Sequence, residues 1–140
     1  MPSPELENLV HTGKLKREPP AAGEVEGLRR SGEARLADAP RLELSIESRF
    51  DLAYNAAHVL ALAALRRLGF RSENRYLVFQ TLPHTLGIAP ATWRVLAKAH
   101  EKRNLAEYEG LLEVDERLVA DLIDAGKVVL AALLAAANPD

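Results

Sequence analysis

The segment SIESRFDLAYNAAHVLALAALRRL, residues 45–68, carries a helical pattern of apolar residues over its whole length. Its main apolar face repeats at spacings of three and four residues, as an α-helix requires. The members of this face are Phe50, Ala53, Ala57, Leu60, Ala61, Ala64, Leu65 and Leu68. Leu52, Val59 and Leu62 lie on a different face, and a helix that is apolar on most sides is buried on most sides. The pattern predicts a long central helix, with Ser45 as its N-cap.

Gly and Pro residues divide the rest of the chain into further predicted helices. These helices span about 22–38, 73–86 with an interruption at Pro83, 90–108 and 115–137. Residues 1–20 form an N-terminal arm or a short helix, and no strand alternation of useful length occurs. We therefore expect one all-α domain over residues 21–140, a bundle of about five helices. We expect its core to be formed by the helices near 45–68, 90–108 and 115–137.

The composition narrows the possible functions. The chain has no Cys, which excludes disulfides, thiolate metal sites and cysteine nucleophiles. The formal net charge is -2, but it is unevenly spread. Residues 1–104 hold 16 Lys and Arg against 12 Asp and Glu, whereas residues 105–140 hold 2 against 8. This distribution is compatible with ordinary solvated helix faces, or with a basic surface that meets RNA and an acidic helix elsewhere.

The sequence shows no targeting or membrane signal. The opening MPSPELENLV lacks the basic and then apolar regions of a secretory signal. The most apolar stretch, residues 52–65, contains Asn55 and His58 and is shorter than the roughly 20 apolar residues of a membrane span. We expect a cytoplasmic protein without a membrane partner.

The predicted helix 90–108 turns from apolar to polar along one face. At helical spacing, one narrow stripe contains Leu96, His100, Arg103 and Glu107, and its flank contains Trp93, Asn104 and Tyr108. A buried polar row without partners costs several kcal/mol. Two interpretations are therefore open. Arg103 pairs with Glu107 and Tyr108 bonds to Asn104 in a structural network, or the stripe is a polar site on the inner or dimer-facing side of the bundle.

Four sequence segments follow one another in an order that is typical of a known family. They are FDLAYNAAH at 50–58, LGFR at 68–71, VFQTLP at 78–83 and Arg103-Asn104-x-x-x-Tyr108. With these segments, residues 20–135 resemble a HEPN domain, the small helical bundle named from higher eukaryotes and prokaryotes nucleotide-binding. Many HEPN proteins carry an Arg, an adjacent polar residue and a His four to six positions after the Arg. In those proteins the Arg and His cut RNA without a metal, across a dimer interface.

Arg103 and Asn104 match this motif, but Tyr108 stands where the His is expected. Tyr has an ordinary pKa of about 10 and is a poor base at neutral pH, whereas His has a pKa of about 6.5. The resemblance therefore implies a module that binds RNA, a nucleotide or a nucleotidyltransferase partner without catalysis. Its candidate binding residues are Arg103, Asn104, Glu107, Tyr108, Tyr54 and His58.

Two other functions remain open. The first is a metal-independent endoribonuclease of a toxin–antitoxin or defence system, with Arg103 and Tyr108 as catalytic residues. His100, almost one turn before Arg103, would then substitute as acid or base. The second is a structural or regulatory homodimer, because the central helix can bury one apolar face in its own bundle and offer the other to a second copy.

The remaining candidates are weaker. His58 also fits a core histidine, and the four scattered His have no carboxylate at metal-ligand spacing, so no metal is predicted. No Gly-rich phosphate loop occurs, so no cofactor is predicted. A basic cluster near the end of the central helix consists of Arg66, Arg67, Arg71 and Arg75. It is interpreted as a solvated surface that supports the helix dipole, or as a phosphate-binding patch.

Overall fold

The computed structural model describes residues 3–110 and 113–137. The helices are α1 (Pro4–His11), α2 (Glu24–Asp38), α3 (Ile46–Arg67), α4 (Arg75–Gln80), α5 (Leu82–Thr85), α6 (Pro90–Glu109) and α7 (Glu116–Ala137). Two strands of two residues each, β1 (Lys16–Arg17) and β2 (Phe70–Arg71), pair in antiparallel fashion. The chain is an all-α helical bundle, as predicted.

Side-chain caps begin the helices close to the predicted positions. Ser45 Oγ caps α3 and Asp115 Oδ1 caps α7, through bonds of 3.1 Å and 2.8 Å to backbone N–H groups. The predicted helix 73–86 is instead the two short helices α4 and α5. Pro83 has no N–H to donate to the carbonyl of Phe79. The indole N–H of Trp93 donates to that carbonyl at 3.0 Å, which fastens α6 to α4.

Helix α3 lies at the centre of the bundle, with α2 and α7 packed along it and α6 packed on α7 and α4. Twelve of its residues are buried. Leu52 and Leu62, on the face that motivated the homodimer, pack against the core of their own chain. The homodimer stays a prediction.

Helix α2 belongs to the core more fully than its sparse apolar residues indicated. A Cβ added at Gly32 would lie 2.5 Å from Leu60 of α3, and one added at Gly126 would lie 2.8 Å from Leu36 of α2. Both distances are too short for real side chains, so the two glycines let α2 approach α3 and α7 closely. We expected a core of three helices, and α2 joins it through these contacts.

The N-terminal arm is fastened to the end of α3 by a buried arginine. Arg66 is 1% exposed, and its guanidinium bonds to both carboxylate oxygens of Glu24 at 2.8 and 3.1 Å. It also donates to the backbone carbonyls of Glu18, Pro19 and Phe70. The interpretation of Arg66 as part of a solvated or phosphate-binding cluster is therefore wrong. The pairing of β1 with β2 beside it is a short sheet that the sequence did not predict.

None of the helices in the described part of the chain has both the length and the apolar character needed to cross a bilayer.

Candidate functional site

A buried tyrosine forms the inner end of a polar site where α3, α4 and α6 meet. Tyr54 of α3 is fully buried, stacked on Phe50 with ring centroids 6.1 Å apart and edge-on to Phe79 at 5.7 Å. A buried tyrosine hydroxyl needs a hydrogen-bond partner. The partner is Nδ1 of His100 on α6, at 3.0 Å. The polar stripe that begins at His100 therefore satisfies a hydroxyl of the core.

His100 continues this connection to the surface. Its Nε2 lies 3.1 Å from the Nδ2 of Asn104. With the amide in this orientation, Asn104 donates and Nε2 accepts, so the neutral ring carries its proton on Nδ1 and donates it to Tyr54. Burial lowers the pKa of His100, and the positive charges of Arg75 and Arg103 lower it further. Tyr54, His100 and Asn104 thus form a hydrogen-bonded row, the Tyr54 chain, which leads from the core to the protein surface.

Two guanidinium groups lie near the ring of Tyr54. Arg103 is centred 5.0 Å from the ring and bonds to Asp51 at 3.2 Å, while Arg75 is 5.8 Å from the ring and bonds to Asn55 at 3.1 Å. Burial raises the pKa of Tyr54, and Arg75 and Arg103 act in the opposite direction. Arg103 is therefore held on the α3 side of its helix by a cation–π contact and an ion pair.

The structural network expected around Arg103 is only partly present. Arg103 Nε lies 3.9 Å from Glu107, as the predicted pair requires, but Asp51 is its closer partner. Tyr108 does not bond to Asn104, which is engaged with His100. The side chain of Tyr108 is instead 89% exposed. The expected Tyr108–Asn104 bond is therefore wrong.

An open cleft of about 720 Å³ lies beside the Tyr54 chain, between the start of α4 and the outer side of α6. We call it the α4–α6 cleft; the residues that matter most in it are Tyr76, Arg94, Lys98, His100, Asn104 and Tyr108. Its volume is within the usual range of small-ligand sites. Exposed large hydrophobic residues gather here, because Tyr76, Leu105 and Tyr108 all line it.

The charges in the cleft are mostly unpartnered. Within the described ranges, neither Arg94 nor Lys98 forms an ion pair or a hydrogen bond with another residue. One carboxylate, Glu101, also lines the cleft. Tyr76 packs on Trp93 and on His100, with centroid distances of 6.1 and 5.1 Å. The cleft thus has an aromatic wall around Tyr76 and two cations, Arg94 and Lys98, that are available to a ligand.

The predicted site residues separate into two groups. His100, Asn104 and Tyr108 line the α4–α6 cleft, whereas Arg103, Glu107, Tyr54 and His58 do not. His58 is half-buried and edge-on to Phe79 at 6.0 Å. Burial, with Arg75, Arg103 and His100 adding to it, lowers the pKa of His58 to about 4. The binding roles of all these residues stay predictions.

Sequence reasoning missed three residues of the cleft, Tyr76, Arg94 and Lys98. Arg94 and Lys98 are spaced i, i+4 on one helix, and Tyr108 follows on the same side. That spacing was a usable signal. In the described residues, no group of three or more His, Asp or Glu is arranged to hold a metal ion.

No protein-family model, curated protein or solved structure matches the chain. HEPN membership, the nucleotidyltransferase partner and the cytoplasmic location therefore stay predictions.

Proposed function

We propose that the α4–α6 cleft binds nucleotides, free or as units of an RNA strand, and that the chain is a HEPN-like binding module that does not cut RNA. One observation carries the proposal. Exposed tyrosines, Tyr76 and Tyr108, lie in one cleft with Arg94 and Lys98, two cations that have no partner in the described residues.

A nucleotide offers one complement to each of these features. Its base has an aromatic face, and stacking on an aromatic side chain contributes about 1–3 kcal/mol per base. Its phosphate accepts charge-assisted hydrogen bonds from Arg and Lys. Exposed apolar groups rimmed by polar ones commonly mark a binding surface. The combination of Tyr76 with Arg94 and Lys98 therefore favours a nucleotide over an apolar ligand.

Two amide side chains supply polar contacts for the edge of a base. Asn104 donates to His100 and keeps its Oδ1 as an acceptor. Asn74 accepts the backbone N–H of Leu77 at 3.0 Å and keeps its Nδ2 as a donor. Both amides line the cleft. Since base edges carry donors and acceptors side by side, the two amides suit a base without selecting one.

We propose that the chain does not cut RNA because the groups that could serve as base and as cation, His100 and Arg103, do not meet in the cleft. Cleavage through a 2′-hydroxyl needs a base and a cation at the same phosphate. Both ring nitrogens of His100 are already engaged, by Tyr54 and Asn104. Arg103 is bound to Asp51 and lies outside the cleft lining.

One observation favours the alternative of a metal-independent endoribonuclease. His100 lines the cleft with Lys98, and burial lowers the pKa of its ring, which favours the neutral form that a general base requires. Incubation of wild type with RNA in EDTA separates the two functions. We expect intact RNA; cleavage that is lost in both His100→Ala and Arg103→Ala would establish the alternative. Tyr108→His tests whether restoring the common motif switches cleavage on.

The binding proposal is tested with Trp93, the single tryptophan of the chain. Trp93 lies 6.1 Å from Tyr76, so a base stacked on Tyr76 should change its fluorescence. Titration with adenosine 5′-monophosphate should give a saturable change. Tyr76→Ala should weaken binding about 5- to 150-fold, whereas Tyr76→Phe, which keeps the ring, should bind nearly as wild type.

The cations are tested in the same titration. Arg94→Ala and Lys98→Ala should each weaken binding about 10-fold or more through the loss of a charged hydrogen bond. Lys127→Ala is the matched control, because Lys127 is an exposed cation of α7 that does not line the cleft. Equal affinities for all of these variants, or no binding by wild type, would overturn the proposal.

A further inference from the structure

The outer side of α6 carries a regular row of cations. Arg94, Lys98 and Lys102 follow one another at intervals of four residues, so their Cα atoms are about 6 Å apart along the helix axis. Like the first two, Lys102 has no ion pair or hydrogen bond within the described part of the chain. We call these three residues the α6 cation row.

A second cavity adjoins the cleft, further along the α6 cation row. Lys102 lines a second, smaller cavity of about 60 Å³, and Leu105 lines both cavities. Each step of four residues also turns by about 40° around the helix, so the row leads gradually from the first cavity towards the second. The surface available to a ligand is therefore a groove with a direction rather than a single pocket.

The two exposed tyrosines of the cleft lie beside different turns of α6. Tyr76 packs against Trp93 and His100, whereas Tyr108 is eight residues beyond His100. Eight residues of α-helix correspond to about 12 Å. A separation of about two helical turns leaves room for two bases of one strand, one on each ring.

From this arrangement we infer that the cleft takes single-stranded nucleic acid, with successive phosphates on the α6 cation row and different bases on Tyr76 and Tyr108. The inference rests on the proposed function and extends it from one nucleotide to a strand of at least three. Grooves that bind single strands combine the same two elements, a line of cations and aromatic platforms. The interval of the cation row is close to the separation of neighbouring phosphates in an extended strand.

Carboxylates also border this groove. Glu101 lines the cleft, and Glu109 and Glu113 line the smaller cavity around Lys102. They repel phosphates and so reduce the net contribution of the cations, to which stacking on the tyrosines adds. Three phosphate contacts should give a slope of about −2 in a plot of log affinity against log salt concentration.

The test compares ligands of different length. Fluorescence anisotropy measures the affinity of labelled oligoadenylates of two, three and six nucleotides, in RNA and DNA forms, and Trp93 fluorescence measures adenosine 5′-monophosphate. Affinity should rise at least 10-fold from the mononucleotide to the trimer and then level off. Binding of either the RNA or the DNA series with this dependence on length supports the inference.

Lys102→Ala distinguishes this inference from the proposed function. It should weaken binding of the hexamer about 10-fold and reduce the salt slope by about 0.7, while the mononucleotide binds as before. Lys127→Ala should change neither affinity. Equal affinity for mononucleotide and hexamer, or equal effects of Lys102→Ala on both, would overturn the inference that the cleft takes a strand. Either result would leave the proposed nucleotide site standing. Failure of every ligand to bind would overturn both.

Discussion

The positively charged side chains on the two sides of α3 differ in their burial and in their partners. Towards α2 and the N-terminal arm, Arg66 is 1% exposed and fully engaged, and it holds the pKa of Glu24 at about 2. Towards α4 and α6, the neighbouring cleft presents Arg94 and Lys98 without partners in the described residues. Removing one partner of a buried charge pair destabilises a fold, whereas removing an exposed, unpartnered charge has little effect. Arg66 therefore has a structural role, whereas Arg94 and Lys98 are available to a ligand.

The Tyr54 chain lies between these extremes. Tyr54 is as buried as Arg66, but its hydrogen bonds lead outward through His100 to Asn104 at the cleft. The core therefore positions His100 and Asn104, which line the cleft, while the cleft itself stays open. Variants on the two sides should therefore differ in whether they lose stability or lose ligand affinity.

The largest loss of stability is expected for Arg66→Ala. It removes the cation of a buried pair, together with its hydrogen bonds to Glu24 and to three backbone carbonyls. The free energy of unfolding should fall by about 3 kcal/mol, the low end for a broken buried pair because Glu24 is partly exposed. Urea denaturation measures it. Arg30→Ala is the control: Arg30 is 75% exposed, and the change should stay within about 0.5 kcal/mol. Equal effects would show that the burial and partners of Arg66 do not stabilise the fold.

A glycine pair on α2 gives the next largest contrast. Gly32→Ala drives a Cβ into the buried Leu60, and such overpacking costs about 1–3 kcal/mol. Gly27→Ala meets nothing within 4 Å on the same helix. It should therefore stabilise the protein by about 0.5–1 kcal/mol through helix propensity. Thermal unfolding of the two variants should show melting temperatures on opposite sides of wild type. A stable Gly32→Ala protein would mean that α2 and α3 are not in close contact.

Stability should also depend on pH through His58. The unfolded residue takes up a proton near its usual pKa of about 6.5, whereas the folded one does so near pH 4. Across that window the unfolded state binds more protons, so the fold loses stability as the pH falls. We expect a loss of about 1–2 kcal/mol between pH 7 and pH 4.5.

Urea denaturation at several pH values measures this loss. His58→Gln should reduce the dependence. His100 contributes in the same direction, because its pKa is also lowered. An unchanged pH profile in His58→Gln would show that His58 is not the responsible group.

A smaller effect is expected for Tyr54→Phe. The substitution keeps the ring contacts with Phe50 and Phe79 but removes the hydroxyl that bonds to His100. One buried hydrogen bond contributes about 1 kcal/mol, and denaturation should show a loss of this size. Tyr76→Phe, at an exposed tyrosine, should stay within about 0.5 kcal/mol of wild type. A neutral Tyr54→Phe would indicate that the Tyr54 chain does not support the cleft.

Periodicity was sufficient to predict the fold class and the long helices. The pattern of residues 45–68 and the cap at Ser45 correspond to α3, which begins at Ile46. The burial of Arg66 could not be predicted, because its partners Glu18 and Glu24 are more than 40 residues away in the chain. Without that contact, an arginine near a helix end is interpreted as solvated.

The site was predicted less completely than the fold. Helical spacing placed His100 and Asn104 on neighbouring parts of one helix, but it predicted a bond from Asn104 to Tyr108, whereas Asn104 bonds to His100. It could not show that Arg103 turns to Asp51 of α3, since that contact joins two helices. The aromatic wall was missed for the same reason, because Tyr76 enters the cleft from α4.

The most direct test of this account is the double variant Arg94→Ala/Lys98→Ala, measured for both stability and binding. We expect its free energy of unfolding to stay within about 0.5 kcal/mol of wild type, because both side chains are exposed and unpartnered in the described structure. We expect its affinity for an adenylate hexamer to fall about 100-fold, as two charged contacts are lost. An unchanged affinity, or a loss of affinity that appears only together with unfolding, would contradict the assignment of the α4–α6 cleft as the binding site.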